Sequence, residues 1–149
     1  MTDSPFADDL EAALADLASA RADLVSAVQH LSEPDLDRAR RGGWPVHRIL
    51  EHVIQSEWLY AQVAATLSGK PTPERGSTAC AGQPADEVLC LLDASRTALL
   101  QAIDGVSEDA FYEIKRFGHE EYSVLSLLEN AAAHDREHAG QVSTTVGAV

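Results

Sequence analysis

The sequence predicts an all-α protein, a single antiparallel four-helix bundle domain that spans residues 1–149. Apolar residues recur at spacings of three and four in four separate blocks, which is the period of a helix with one buried face. Each block is roughly 20 residues long, and segments with Gly and Pro separate the blocks, as in bundles of long helices. No succession of short alternating strands with hairpin turns is present.

Length and charge exclude several classes of protein. The 149 residues, 45% hydrophobic and 23% charged, suit one soluble globular domain. Eleven Lys and Arg against 24 Asp and Glu give a net charge of −13, which disfavours nucleic acid and anionic membranes as partners. The longest uncharged run, residues 58–69, is too short to span a bilayer. Acidic residues near the N-terminus do not suit a signal peptide, so we expect a cytoplasmic protein.

The first two blocks are separated by a clear break. The first helix is expected from about Ala7 to Leu31, with carboxylates in its first turn, where they favour the positive end of the helix dipole. Residues 32–43 interrupt the pattern with a proline and a glycine pair. The second helix starts at Trp44 and the proline after it, and runs to Leu67, before a glycine and proline stop. We interpret Trp44 as a core anchor at the end of the bundle.

The second half of the chain follows the same pattern. A loop at residues 69–84 leads to a third helix at about residues 85–103. Residues 112–122 are interpreted as a loop or a short extended piece. Ser123 is a suitable N-cap for the fourth helix, which continues to about Thr145. The connections are longer than a minimal bundle needs, and this favours functional loops at its ends.

The two cysteines match no known pattern. Cys80 and Cys90 are ten residues apart, which is neither a zinc nor a thioredoxin spacing. We interpret Cys80 as a loop thiol and Cys90 as a buried small hydrophobe. Without a secretion signal, no structural disulfide is expected.

Three of the six histidines fall where a bundle places apolar side chains. His134 and His138 are four residues apart and therefore share one face of the fourth helix, behind two apolar residues of its inner stripe. His52 adjoins Val53 on the inner stripe of the second helix. Because facing helices of a bundle meet along such stripes, the three imidazoles are predicted to converge in the interior.

Three neutral imidazoles match a transition-metal site with three protein ligands and one open position. Burying an imidazole without a hydrogen-bond partner costs on the order of a few kcal/mol of folding free energy. Three buried imidazoles without partners or a metal are therefore unfavourable. Zinc or nickel suits this ligand set best, ahead of iron or manganese. The alternatives are a cluster that only titrates, or a histidine pair that faces solvent. Backbone carbonyls or tyrosines are expected to satisfy the other histidines, which are His30, His47 and His119.

Polar residues near the trio suggest supporting roles. Asn130 and Gln141 are candidates to orient a ligand imidazole or to bind a water, and otherwise belong to a partly exposed helix end. Glu57 is a candidate general base or hydrogen-bond acceptor for a ligand, and otherwise a solvated charge. Asp135 and Glu137 are interpreted as surface charges.

Two segments match the helix patterns of a known family. WPVHRILEHVIQSE contains a tryptophan, a leucine, a histidine and an acidic residue in order, which are Trp44, Leu50, His52 and Glu57. About 80 residues later, HDREHAGQ contains His134, His138 and a Gly-Gln pair. Both segments resemble the DinB-like (damage-inducible) superfamily of small four-helix metal proteins. The resemblance extends over essentially the whole chain in length and helix order.

The resemblance implies a metal triad of His52, His134 and His138 and a homodimer. Several relatives are thiol-dependent transferases or isomerases that use low-molecular-weight thiols such as bacillithiol or mycothiol, and others are described as metal-dependent hydrolases. The sequence departs from the family at Ala139, where many members have an arginine, and at Pro45, where many have Ser or Thr. The first departure affects substrate contacts, and neither affects the three histidines.

Three hypotheses about function follow. As an enzyme, the protein would use a divalent metal to activate a small thiol, or a water, against a small-molecule substrate. It could also bind a metal or small ligand without turnover, or be a structural bundle that associates with another protein. No Ser-His-Asp or Cys-His set is present, so any chemistry depends on the metal, and the sequence identifies no other catalytic or thiol-binding residue.

Overall fold

The computed structural model describes residues 4–147. Six helices and one hairpin make up this part of the chain. They are α1 (Phe6–Val28), α2 (Glu33–Asp37), α3 (Val46–Leu67), α4 (Ala85–Ile103), α5 (Glu108–Tyr112), β1 (Lys115–Phe117), β2 (Glu120–Tyr122) and α6 (Val124–Gly147). The four predicted helices correspond to α1, α3, α4 and α6, and the all-α class is confirmed. Within residues 4–147, no helix is both long enough and apolar enough to cross a membrane.

Local capping sets the helix boundaries. The chain leaves α1 at Val28, before the predicted end, and starts the short α2, which was not predicted. Ser32 accepts a hydrogen bond from the backbone N–H of Asp35, whose carboxylate accepts one from the N–H of Ser32, so α2 begins with a reciprocal capping box. Ser123 caps α6 as predicted, because its hydroxyl accepts the N–H of Ser126.

Hydrogen bonds between the long helices define their directions. Glu57 and Ser95 meet near the middles of α3 and α4. Lys70, just beyond α3, donates to the carbonyl of Gln101 near the end of α4, so these helices run parallel. Successive contacts between α1 and α4 run in opposite directions along the two helices, and so do those between α3 and α6. The bundle therefore combines antiparallel pairs with parallel pairs, in the order up-down-down-up.

The parallel pair explains the long connection between α3 and α4. A helix of the length of α3 spans about 33 Å, and the chain must return over that distance before α4 starts. This α3–α4 strap (residues 68–84) runs back along α3, since Gln62 donates to the carbonyl of Pro73 and Glu51 accepts the N–H of Cys80. The length of this connection is a requirement of the topology, so the expectation of a functional loop has no support here.

The environments of the two cysteines differ in part from their interpretation. Cys80 is a loop residue as predicted but is buried against α3, whereas Cys90 is exposed on α4, so its interpretation as a buried hydrophobe was wrong. Burial, and then the nearby Glu51 carboxylate, raise the pKa of the Cys80 thiol to about 12. At Gly76 the strap touches the ring of Trp58, and an added Cβ would lie 2.7 Å from its Cζ2 atom. Only glycine fits at that point without movement of the strap or the indole.

A buried ionic cluster joins the four long helices. Arg21 of α1, Glu57 of α3, Arg96 of α4 and Asp135 of α6 each contribute one charge. Both guanidinium groups contact both carboxylates at 2.7–2.9 Å, and Ser95 donates to Glu57 at 2.6 Å. Glu57 is 3% exposed and Asp135 is 2% exposed. Two positive and two negative charges therefore balance in the interior, where each is hydrogen-bonded.

This ionic cluster corrects two interpretations made from the sequence. Asp135 is not a surface charge, and Glu57 is neither a solvated charge nor a group at the histidine trio. Burial lowers the pKa of the Arg21 guanidinium, but the carboxylates of Glu57 and Asp135 outweigh burial and raise the pKa above its ordinary value. The charged forms of the cluster therefore stabilise one another.

Neutralising one member of the ionic cluster should destabilise the fold strongly. Glu57→Gln leaves two buried guanidinium groups facing one carboxylate, and we expect the free energy of unfolding to fall by about 3–5 kcal/mol. Glu129→Gln, the same change at an exposed position of α6, should shift it by no more than about 0.5 kcal/mol. Urea denaturation measures both. A loss for Glu57→Gln as small as that for the control would contradict a stabilising role for the cluster.

Candidate metal centre

His52, His134 and His138 lie together between α3 and α6. The Nε2 atom of His134 is 3.3 Å from Nε2 of His52 and 2.9 Å from Nε2 of His138. One ligating atom from each ring lies within 4.8 Å of the other two, a group that could hold a metal ion. The predicted convergence is therefore observed, while metal binding itself stays a prediction.

Helix geometry accounts for this convergence. His134 and His138 are one turn apart on α6, so their rings stack edge to face with centroids 4.3 Å apart. The antiparallel α3 supplies His52 from the opposite side, with ring centroids 5.1 and 5.2 Å from the α6 histidines. His138 is buried and the other two rings are half-buried, so a small molecule can still reach the trio.

Gln141 selects the tautomer of one ring. Its Oε1 atom is 2.6 Å from Nδ1 of His138. Because an amide oxygen only accepts hydrogen bonds, Nδ1 of His138 is the donor in this contact, and the neutral form of the ring then has its lone pair on Nε2. Nε2 of His134 is close to Nε2 of both His52 and His138. One proton on Nε2 of His134 can point to only one of these two nitrogens, so a second contact between nitrogens has no hydrogen bond. A cation among the three lone pairs would satisfy all of them at once.

His52 and His134 favour the neutral form of the ring, which is the form that can coordinate a metal. Burial lowers the pKa of His52, and the neighbouring His138 lowers it further, against an opposing effect of Glu137. Burial likewise lowers the pKa of His134, with added contributions from His138 and His52. Both imidazoles are therefore neutral at pH 7, with a lone pair available for coordination.

Aromatic side chains border the trio. The Tyr60 ring lies 6.4 Å from the His134 ring and 6.3 Å from the Tyr122 ring. Burial raises the pKa of Tyr60, so its hydroxyl stays protonated at neutral pH. The Trp44 ring lies 5.8 Å from the His52 ring but is 42% exposed. Trp44 is therefore a rim residue of the site, and its interpretation as a core anchor was wrong.

The other polar residues considered from the sequence differ in whether they contact the trio. Gln141 orients His138, as one interpretation proposed, whereas Asn130 is exposed and makes no side-chain hydrogen bond within the described part of the chain. Glu137 is a surface charge as predicted. His30 and His119 are exposed rather than satisfied in the core.

His47 also differs from its expected environment. It is half-buried, and its Nδ1 atom has no hydrogen-bond partner among residues 4–147. The carboxylate of Glu51 lies 3.8 Å from that atom, beyond hydrogen-bond distance. Neither a backbone carbonyl nor a tyrosine satisfies this ring, so the expectation for His47 was wrong as well.

Comparison with known proteins agrees with this geometry. The family model described as the DinB superfamily matches residues 9–142, which is most of the chain. The chain belongs to the DinB superfamily. The match includes all of α3 and most of α6, the two helices that hold the histidine trio. The comparisons with curated proteins and with solved structures found no match.

Proposed function

We propose that this DinB-superfamily protein binds one divalent transition metal ion through His52, His134 and His138 and uses it in a thiol-dependent transfer or isomerisation of a small electrophile. The observation that supports metal binding most directly is the approach of three ligating atoms to within 4.8 Å of one another. The thiol chemistry rests on the family resemblance and on the positions of the two cysteines.

The distances suit a compact three-histidine ligand set. Tetrahedral zinc with Zn–N bonds of about 2.05 Å separates its ligand nitrogens by about 3.3 Å. The Nε2 atom of His134 lies at 3.3 and 2.9 Å from those of the other two rings. Gln141 supports the set further, because it holds His138 in the tautomer that ligates through Nε2. Zinc or nickel is the ion that this set favours.

Within residues 4–147, neither cysteine is suited to act as a nucleophile at the histidine trio. When bound, a divalent ion lowers the pKa of a coordinated thiol or water and supplies a nucleophile at neutral pH. Cys80 is a poor thiolate, since its pKa is raised to about 12, and Cys90 lies on α4, outside the α3–α6 seam. The reactive thiol must therefore come from a small molecule, such as the bacillithiol or mycothiol that the resemblance implies. Tyr60, protonated and with its ring 6.4 Å from that of His134, is a candidate hydrogen-bond donor to a bound ligand.

Metal content tests the ligand set. Protein loaded with Zn²⁺ or Ni²⁺ and then dialysed should hold one ion per chain by elemental analysis. Removing a ligand costs more than removing a supporting residue, so His52→Ala should weaken binding by at least about 100-fold. His30→Ala, the same change at an exposed histidine, should bind like the wild type. Far less than one ion per chain in the wild type would refute the site.

The role of Gln141 can be tested separately from that of the ligands. Gln141→Leu removes the acceptor from Nδ1 of His138, and we expect metal affinity to fall by about 10–100-fold. Asn130→Leu changes a nearby exposed amide of α6 that makes no such contact and should leave the affinity unchanged. Competition with a chromogenic chelator measures both affinities. Equal affinities in the two variants would show that Gln141 does not orient a ligand.

Activity distinguishes the thiol reaction from its alternatives. The metal-loaded protein should conjugate one member of a panel of small thiols to an electrophilic dye. This conjugation should disappear with a chelator and in His134→Ala, because both remove the metal. Metal-dependent cleavage of an ester substrate without any thiol would instead indicate a hydrolase. No metal-dependent reaction with any thiol or ester would leave a protein that binds metal without turnover.

A further inference from the structure

A groove with arginines on its wall opens beside the histidine trio. Arg40, Arg41 and Trp44, from the segment between α2 and α3, line one side of a cavity of about 280 Å³. Gln141 and Thr145 of α6 line the other side. We call this cavity the arginine groove. Its volume is close to the smaller end of the range for small-molecule pockets.

The arginine groove adjoins the candidate metal centre through two shared residues. Gln141 lines the groove and also accepts the hydrogen bond from Nδ1 of His138. Trp44 lines the groove, and its ring is 5.8 Å from the ring of His52. A small molecule in the groove would therefore lie next to the histidines.

The positive charge of this groove contrasts with the rest of the chain. The net charge is −13, yet four of the eleven Lys and Arg residues lie within residues 38–48. Arg38 is engaged by Asp35 and by the carbonyl of Val146. In the part of the chain that the structure describes, the exposed Arg40 and Arg41 form no ion pair and no side-chain hydrogen bond. No residue among 4–147 therefore competes with a ligand for their guanidinium groups.

The backbone holds this segment in a defined shape. Ala39 pairs with Pro45 in an antiparallel bridge, and the N–H of Gly43 donates to the carbonyl of Arg40 at 2.8 Å. Gly42 completes the turn with a φ of 77°, a conformation that glycine adopts readily. The guanidinium of Arg48 lies 4.6 Å from the centre of the Trp44 ring and covers it as a cation–π contact.

We infer that the arginine groove binds the oxyanion end, carboxylate or phosphate, of a small-molecule ligand whose other end reaches the histidine trio. The second half of this inference rests on the proposed function, whereas anion binding in the groove does not. Guanidinium groups bind carboxylates and phosphates through paired, charge-assisted hydrogen bonds. An acidic protein repels anions overall, so it needs a local positive site to hold one next to its reaction centre.

Calorimetric titration of the metal-free protein tests the groove. The probes are succinate, inorganic phosphate and the neutral succinamide, and metal and chelator are removed beforehand. We expect succinate or phosphate to bind and succinamide not to bind. The anion that binds with the higher affinity indicates whether the natural ligand carries a carboxylate or a phosphate. Failure of both anions to bind would overturn the inference, and so would equal binding of succinamide.

Matched variants locate the binding. Arg40→Gln/Arg41→Gln should weaken anion binding by at least about tenfold, because two charge-assisted contacts are lost. Arg75→Gln/Arg116→Gln makes the same charge change at exposed arginines elsewhere and should change it less than about twofold. Arg40→Lys/Arg41→Lys keeps the charge, so it should retain more affinity than the glutamine pair if it folds alike. Equal losses in the two glutamine pairs would show a general effect of charge and overturn the groove.

The inference and the proposed function can fail independently. Arginine-dependent anion binding in a protein that takes up no metal would refute the metal-dependent reaction and leave the groove as an anion site. If the protein binds one metal ion per chain but substitution of Arg40 and Arg41 leaves anion affinity unchanged, the inference about the groove is refuted and the proposed function is not. Unfolding midpoints of all variants confirm that each difference arises in the folded protein.

Discussion

The rest of the structure depends on the buried ionic cluster of Arg21, Glu57, Arg96 and Asp135. Burying four charges is offset only when each finds its partners, so one rotational setting of the four long helices is strongly favoured. Asp135 directly follows His134 on α6, and Glu57 lies about 140° around α3 from His52. The same setting that pairs the charges at the bundle centre therefore turns the histidines toward the seam between α3 and α6.

The sequence predicted the parts of this fold that repeat with a helical period. The four long helices and the inward position of three histidines follow from spacings within single helices, which a sequence displays directly. Helix direction does not, because it depends on contacts between elements. The α3–α4 strap was therefore interpreted as a functional loop, although its length follows from the parallel arrangement of α3 and α4.

Charged and polar residues gave the wrong interpretations for a related reason. A carboxylate such as Asp135 is predicted to be exposed because burial requires cationic partners. Those partners are on other helices, so the sequence around Asp135 does not show them. The signal was present in part, because Arg21, Glu57, Arg96 and Asp135 all lie within helical blocks close to apolar stripe positions. The interpretation of Trp44 was wrong in the opposite direction, because this residue was expected in the core and is exposed. A large aromatic residue at a helix start is as suitable for the rim of a site as for a core.

Gln141 links the two halves of the site. Its Oε1 atom contacts Nδ1 of His138, while its side-chain amide nitrogen makes no hydrogen bond within residues 4–147. The same residue lines the arginine groove. An oxyanion in the groove could accept from that amide as well as from the arginines, and it would then hold the amide in the orientation that His138 requires. Occupation of the groove would in this way stabilise the His138 tautomer whose lone pair is on Nε2. The histidine trio and the arginine groove thus share one side chain, Gln141.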